Sequence, residues 1–393
     1  MRSIKEIFVI GHGPSSSHTM GPANACDYIL KEYSGIKSIR VVLYGSLALT
    51  GKGHLTDYII GLKLKDIKHR IVFDTQTETP HPNTMEFEVT TNEGVTKETI
   101  ISIGGGTIIT KHNYKDHDHE VYPQNSLKEI LHFCDKMGIS LKDYVKKHED
   151  ESLYDYLKQC KDQILSSIDS GLSKDGYLPG PLKVQRKAKE MMANLQNDDP
   201  AEIMAISAFA VAEENASGNI IVIAPTCGSA GVFGGILGYF RKKGYSEKEI
   251  IESLMVAGLI GMLAKTNASI SGAEAGCQAE IGVACAMGAA AIANIKGLNN
   301  EHIARAAEIA LEHSLGLTCD PVQGYVQIPC IERCAVYALK AKNAVKLATL
   351  IPSSGNKIGF DESLKTMYET GKDLSSGYRE TGKKGLGKIF ENK

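Results

Sequence analysis

The chain has 393 residues, of which 42% are hydrophobic and 23% charged, and its 44 basic side chains nearly balance 46 acidic ones. This length exceeds the usual size of one hydrophobic core, so two domains are expected, and the composition excludes disordered and fibrous proteins. A net charge of −2 excludes the basic surface that binds nucleic acid or an anionic membrane, which leaves a small molecule as the expected partner.

The N-terminus, one long uncharged run and the cysteines together predict a reduced, cytoplasmic protein without a membrane span. MRSIKEIFVIGHG lacks the apolar core of a secretory signal. The uncharged run 220–240 contains a proline and five glycines, so it is interpreted as a buried strand or helix, a loop and a helix. The nine cysteines include no C-x-x-C pair, which argues against a disulfide framework and a zinc ribbon.

Residues 1–120 are predicted to form an α/β domain. Apolar side chains recur on one face of a predicted helix, at Cys26, Ile29, Leu30 and Tyr33. Four segments are predicted as strands, 38–45, 70–73, 86–91 and 99–103. In the third segment Phe87 and Val89 alternate with polar residues, which is typical of a strand with one buried face.

Residues 121–393 are predicted to form a second, all-helical domain, so the fold class is α+β. Strand patterns nearly vanish after Leu127, and the plainest helices span 247–265 and 300–316. A polar segment between the domains is interpreted as a surface linker. A metal cluster in this segment is the weaker alternative, formed by His112, His117 and His119.

The segment GPSSSHTMGPA, residues 13–23, places three serines, a histidine and a threonine between two Gly-Pro pairs. Because proline is favoured at the first helical position, Pro22 predicts a helix start directly after this loop. A helix N-terminus with hydroxyl groups suits a carboxylate or phosphate, while an exposed capping loop is the equal alternative. Polar loops next to strands also contain His54 and His81, so these side chains and His18 are candidates to meet in one pocket, although a lone histidine is more often structural.

Four cysteines lie where loops or helix starts are expected, Cys227, Cys277, Cys319 and Cys330. Thiols at helix N-termini lose their proton more readily, so a metal competes for them. Cys285 follows Cys277 by eight residues on a helix predicted over 271–294, about 12 Å along its axis, and is assigned to core packing. Loop thiols without a short pair fit an iron–sulfur cluster better than structural zinc, and buried unligated cysteine is the alternative.

Six segments together resemble the iron–sulfur L-serine dehydratase family in its single-chain form: GPSSSHTMGP, YGSLALTGKGHLTD, PHPN, NASGNIIVIAPTCGSAG, SGAEAGCQAEIG and TCDPVQGYVQIPCIER. They occur in the family's order over nearly the whole chain. The resemblance implies an α/β domain similar to allosteric serine-binding domains, followed by an all-helical domain that binds a [4Fe-4S] cluster. Its implied ligands are Cys277, Cys319 and Cys330, which leave one iron open as a Lewis acid for the hydroxyl group of the substrate.

The resemblance also implies a carbon–oxygen lyase that deaminates L-serine to pyruvate and ammonia. His54 is the implied base for the Cα proton, and His18 is implied to orient the substrate or bind it. The implied substrate contacts are Ser15, Ser16, Ser17, Thr19, Thr56 and Asn83. The chain departs from the family in having no cysteine after Cys334, which puts gating of the open iron by the tail in doubt.

Three other functions stay open at this point. A related cluster enzyme acting on another β-hydroxy acid, such as 2-(hydroxymethyl)glutarate, would need an extra cation, for which the candidates are Lys52, Lys183, Arg186 and Lys265. A pyridoxal-phosphate lyase lacks a convincing lysine site. A non-catalytic serine sensor would use the cysteines only for its core. Apolar, Gly-rich helices favour a homo-oligomer.

Overall fold

The computed structural model describes residues 1–111, 120–197, 199–352 and 356–389. The candidate histidine cluster lies outside these residues. The strands are β1 Val9–His12, β2 Ser38–Tyr44, β3 Lys68–Asp74, β4 Thr84–Thr90, β5 Val95–Gly104, β6 Thr107–Ile109 and β7 Ile220–Ile223. The helices of the first hundred residues are α1 Gly21–Glu32, α2 Gly45–Thr50 and α3 Thr56–Lys63.

The remaining helices follow residue 120. They are α4 Leu127–Met137, α5 Leu141–His148, α6 Ser152–Ser173, α7 Ala188–Ala193, α8 Pro200–Ala216, α9 Ala230–Lys243, α10 Glu247–Asn267, α11 Gly272–Ala275, α12 Val283–Ile295, α13 Asn300–Glu312, α14 Cys330–Leu350, α15 Phe360–Asp373 and α16 Leu386–Ile389. The α+β fold class predicted from the sequence is therefore confirmed.

The N-terminal sheet has the strand order β3-β2-β4-β5-β6, in which β2 and β3 are parallel and the other neighbours antiparallel. The alternation predicted for β4 is confirmed, because Phe87 and Val89 are buried in the core that α1 and α3 share with the sheet. Each such side chain contributes about 1.5–3 kcal/mol by leaving water. On the opposite face Glu88 pairs with Arg40 and Lys97.

The helical part has a core in which several helices are apolar on every side. Of these, α12 consists largely of small residues and is buried along most of its length, so its neighbours pack closely. A stretch that includes α12, Gln278–Ile295, is long and apolar enough to cross a membrane, and 83% of it is buried inside the fold. The uncharged run 220–240 forms β7, a loop and α9, as predicted.

The first twenty residues pack with the helical part rather than with the sheet. Ile4, Ile7 and Phe8 are buried in the core of the helices. Strand β1 pairs antiparallel with β7, so the region predicted to be all-helical contains one short strand. This pairing brings the segment that follows β1, with the serines of residues 15–17, against the helical part of the chain.

Candidate functional site

A cavity of about 220 Å³ lies where the N-terminal segment, the loop before α3 and the helical part meet. Its lining contains seven residues predicted from the sequence, Ser15, Ser16, Ser17, His54, Cys277, Cys319 and Cys330. The other predicted residues, His18, Thr19, Thr56 and Asn83, lie outside this lining. The size suits a ligand no larger than a small metabolite together with a compact cofactor.

The serine-rich segment is a helical turn, where the sequence analysis considered an exposed capping loop. The hydroxyl of Ser15 accepts a hydrogen bond from the backbone N–H of His18, and residues 16–20 form a π-helical turn that continues into α1. Pro22 lies in the first turn of α1, as predicted. The turn is mostly buried, and its polar groups find hydrogen-bond partners within the protein, as buried polar groups require.

His54 is fixed so that one ring nitrogen faces the cavity region with a free lone pair. Its Nδ1 lies 3.0 Å from the carbonyl oxygen of Thr50, which can only accept, so Nδ1 carries the proton. Nε2 has no hydrogen-bond partner among the described residues, and it lies 3.5 Å from Oε1 of Glu380. In the tautomer with the proton on Nδ1 alone, Nε2 is the acceptor nitrogen that a base requires.

His18 lies directly behind His54, with 4.6 Å between the ring centroids. Its Nδ1 is 2.8 Å from the hydroxyl of Ser17, and its Nε2 is 3.0 Å from the hydroxyl of Ser46. Complete burial, followed by repulsion from His54, lowers the pKa of His18 to about 4. His18 is therefore a neutral, hydrogen-bonded support for His54 near pH 7.

The predicted threonine and asparagine contacts have clear positions outside the cavity lining. Thr19 donates its hydroxyl proton to the carbonyl of His54 at 2.7 Å, and Thr56 donates to the carbonyl of His18 at 2.6 Å. The amide oxygen of Asn83 is buried and, within the part of the chain that the structure describes, has no partner. His81 accepts a hydrogen bond from the backbone N–H of Asn83 and also lies outside the lining.

The three thiols come from three separate segments. Cys277 follows Gly276, whose φ of 74° ends α11, so the helix predicted over 271–294 is interrupted here. Cys319 lies in a loop, and Cys330 is the first residue of α14, as predicted. A left-handed glycine thus turns the chain so that Cys277 reaches the cavity that Cys319 and Cys330 also line.

The pKa values of the thiols differ from the low values expected for cysteines at helix N-termini. The pKa of Cys277 is lowered to about 6, mainly by its hydrogen bond with the Cys319 thiol and further by the Arg333 guanidinium. Burial has the opposite effect and raises this pKa, but it is outweighed. Burial raises the pKa of Cys330 although it begins a helix. The Cys319 thiol also lies 3.6 Å from Oε2 of Glu280. One thiolate beside a buried cation is therefore favoured even before a metal binds.

The donor set fits a cluster better than a single ion. No group of three or more His, Cys, Asp or Glu side chains in the described ranges is gathered closely enough to hold one metal ion. Three thiols on the wall of one cavity nevertheless supply the ligand type that iron–sulfur clusters use. Arg333 adds the positive charge that an assembly of thiolates needs.

The other candidate cysteines serve the packing of the helices. Cys285 donates to the carbonyl of Tyr337 at 3.4 Å, Cys334 donates to the carbonyl of Gly228 at 3.3 Å, and Cys227 contacts the sulfur of Met20. Burial raises the pKa of Cys285 and of Cys334 to about 12. All three lie outside the cavity lining, so they remain protonated core thiols.

The sequence analysis missed five charged residues of the cavity, Arg2, Glu274, Glu280, Arg333 and Glu380. Glu280 and Arg333 lie three positions after predicted cysteine ligands, inside segments that were already singled out, so proximity in sequence was an available signal. Glu380 lies in the C-terminal segment, outside the motifs that predicted the site. Of the four candidate cations for a second carboxylate, Lys265 lines the cavity, and it is already paired with Glu6 at 2.8 Å.

Comparisons with known proteins show which family the chain resembles over nearly its whole length. Two family models match the chain, serine dehydratase beta chain over residues 3–68 and serine dehydratase alpha chain over residues 82–387. L-serine dehydratase 1 of Escherichia coli is 37% identical over 448 aligned positions, covering 98% of each chain. The L-serine dehydratases of Haemophilus influenzae and Helicobacter pylori are each 38% identical, covering 98% and 99% of both chains respectively. These alignments are longer than 393 residues, so they contain gaps in this chain.

Proposed function

The chain belongs to the serine dehydratase family, with the beta-type and alpha-type parts in one polypeptide, and from this premise we propose that it is an iron–sulfur lyase that converts L-serine to pyruvate and ammonia. The observation that carries the proposal is the meeting of one histidine base and three thiols in a single small cavity. The names of the relatives, all L-serine dehydratases, support L-serine as the substrate.

The proposed cofactor is a [4Fe-4S] cluster held by Cys277, Cys319 and Cys330. When bound, the cluster would supply a Lewis acid for the leaving hydroxyl group of the substrate. Arg333, whose guanidinium lies beside the Cys277 thiol, balances the negative charge of the thiolates. The low pKa of Cys277 supports this assignment, because a metal replaces the proton of such a thiol at little cost.

His54 is the proposed base. Its free Nε2 takes the proton from Cα of L-serine, the electron pair of that bond forms the Cα–Cβ double bond, and the β-hydroxyl leaves as hydroxide. The product aminoacrylate becomes an imine, which water hydrolyses to pyruvate and ammonia. The hydroxyl groups of Ser15, Ser16 and Ser17 line the same cavity and are the proposed contacts for the polar groups of serine.

The remaining predicted contacts support the base rather than line the cavity. His18 and Thr19 are proposed to hold the ring and backbone of His54. Thr56 is proposed to fix the turn that carries His18. Asn83, predicted as a substrate contact, lies outside the lining with its amide oxygen buried and, within the described ranges, without a partner. Glu6 pairs with Lys265 at 2.8 Å and with Arg2 at 3.2 Å, so its single charge is shared between two cations of the cavity lining, and a dicarboxylic β-hydroxy acid stays the alternative substrate.

The experiment that tests the proposal is anaerobic purification followed by iron and sulfide analysis and a pyruvate assay with L-serine. We expect about four irons and four sulfides per chain and pyruvate release. If the protein turned over 2-(hydroxymethyl)glutarate and not L-serine, the dicarboxylic acid would be the substrate in place of serine. A protein that binds serine but remains inactive after cluster reconstitution would be a sensor.

The cysteines and the surface of α14 support two further proposals, on location and on assembly. All nine cysteines are free thiols, which supports a reducing compartment such as the cytoplasm. Exposed apolar side chains along α14, including Val336, Leu347 and Leu350, support a homo-oligomer. Size-exclusion chromatography with light scattering tests the second proposal, for which a monomer would be the contrary result.

A further inference from the structure

The C-terminal strap, residues 374–385, lies against the Cys319 loop and places the Glu380 carboxylate in the cavity lining beside the base. Its backbone pairs with Cys319 on both sides: the N–H of Cys319 donates to the carbonyl of Tyr378 at 2.8 Å, and the N–H of Glu380 donates to the carbonyl of Cys319 at 2.7 Å. The strap is also held by the N–H of Leu386, which donates to Asp320 at 2.8 Å. These bonds hold the backbone of Glu380 against the loop that carries Cys319.

Glu380 adopts a backbone conformation that its residue type disfavours. Its φ is 57°, in the left-handed region, where a residue with a Cβ is held only when its surroundings determine it. The conformation turns the side chain into the cavity, where it is 12% exposed. Strain at a buried carboxylate that lines the site indicates a requirement of the site rather than of the fold.

The carboxylate faces the nitrogen of His54 that would receive the substrate proton. Oε1 of Glu380 lies 3.5 Å from Nε2, longer than a hydrogen bond and within ion-pair distance. The opposite nitrogen, Nδ1, is already bound to the carbonyl of Thr50. When Nε2 gains a proton, the imidazolium has a buried carboxylate next to its new charge, which stabilises it more than water-exposed charges would.

We propose that Glu380 is a positioning residue for His54: it stabilises the imidazolium formed when Nε2 accepts the Cα proton, and the strap thereby links the base to the Cys319 loop. The proposal rests on the proposed function. No further reactant is required, because the proton passes from Cα to Nε2 and Glu380 remains a carboxylate throughout. Glu380 takes no part in bond breaking and contacts the base rather than the reacting carbon.

The test compares Glu380→Gln, Glu380→Asp and the control Lys383→Gln with the wild-type chain, each purified anaerobically. Lys383 is exposed on the same strap, so its variant removes one charge, of the opposite sign, away from the cavity. Iron content and absorbance near ~400 nm measure the cluster without activity. Steady-state kinetics with L-serine and with L-serine deuterated at Cα then give kcat, KM and the isotope effect.

For Glu380→Gln we expect an unchanged cluster content, a kcat per cluster lower by about 100-fold and a KM within about threefold of wild type. Glu380→Asp keeps the negative charge, and its kcat is expected to be about tenfold higher than that of Glu380→Gln. The isotope effect of Glu380→Gln is expected to equal or exceed that of wild type, because the Cα–H step becomes slower. Lys383→Gln is expected to behave as wild type.

Four results would overturn the proposal: an unchanged kcat in Glu380→Gln, a raised KM with an unchanged kcat, an aspartate variant no better than glutamine, or an isotope effect below that of wild type. Loss of the cluster in both Glu380 variants would also overturn it, because Glu380 would then only hold the Cys319 loop. A wild-type chain that makes no pyruvate would instead refute the proposed function.

Discussion

The hydroxyl of Thr56 donates a hydrogen bond of 2.6 Å to the backbone carbonyl of His18. The reverse bond runs from Thr19, next to His18, to the carbonyl of His54. Two turns that are far apart in the sequence are thus fastened to each other by reciprocal threonine bonds. The arrangement keeps the two imidazole rings in contact and explains why both threonines are buried.

We predict that Thr56→Val destabilises the protein, because it leaves the His18 carbonyl buried without its donor. The expected loss is about 1–3 kcal/mol in the free energy of unfolding. Thr56→Ser keeps the hydroxyl and is expected to lose less. Urea unfolding of both variants measures the difference. A Thr56→Val variant with wild-type stability and a KM raised tenfold or more would instead support the direct substrate contact predicted from the sequence.

The buried, neutral state of His18 predicts a loss of stability in mild acid. Because the folded pKa of about 4 lies below the ordinary value of 6.5, the unfolded chain binds the proton more readily between these values, and stability falls as the pH falls through this window. By pH 5 this group alone costs about 2 kcal/mol relative to pH 7. His18→Gln is expected to lose less stability than wild type over that interval in urea unfolding. An equal loss in both proteins would contradict the assignment.

Strands β2 to β5 and the helices α10 and α13 could be predicted because their signals are local. The alternation around Phe87 and the position of Cys330 after a proline each lie within a few residues. The break at Gly276 could not be predicted, because a left-handed residue leaves the surrounding helical composition unchanged. The pairing of Glu380 with His54 depends on the strap lying against Cys319, a tertiary contact with no counterpart in local sequence.

The cysteine assignment predicts an all-or-none pattern of cluster loss. Cys277→Ala, Cys319→Ala and Cys330→Ala are each expected to lose most of the iron and sulfide, because each removes one of three thiolates on the cavity wall. Cys285→Ala is the matched control, since this thiol is equally buried but packs against Tyr337 outside the cavity. Iron and sulfide analysis of the four variants measures the pattern. Equal loss in the control would show that the ligand set is different.

Gly53 lies close to the backbone of Gly324. We therefore predict that a substitution at residue 53 displaces the base His54 although His54 itself is unchanged. A Cβ at residue 53 would meet the carbonyl oxygen of Gly324 at 2.9 Å, and this backbone cannot yield as a side-chain end can. Gly53→Ala should therefore push the turn that carries His54 away from the Cys319 loop and lower kcat by about tenfold or more, since misplacement by an ångström is costly in a positioned site.

Gly61→Ala is the matched control for this change. Gly61 lies in helix α3, seven residues beyond His54, and a Cβ there would come no closer than 3.8 Å to the atoms around it. Alanine is also the better helix former, so the control is expected to keep its kcat and gain up to about 1 kcal/mol in stability. If Gly53→Ala turned over serine as fast as Gly61→Ala, the position of His54 would not depend on this contact, and its support would have to come from its other partners, which include His18 and Thr19.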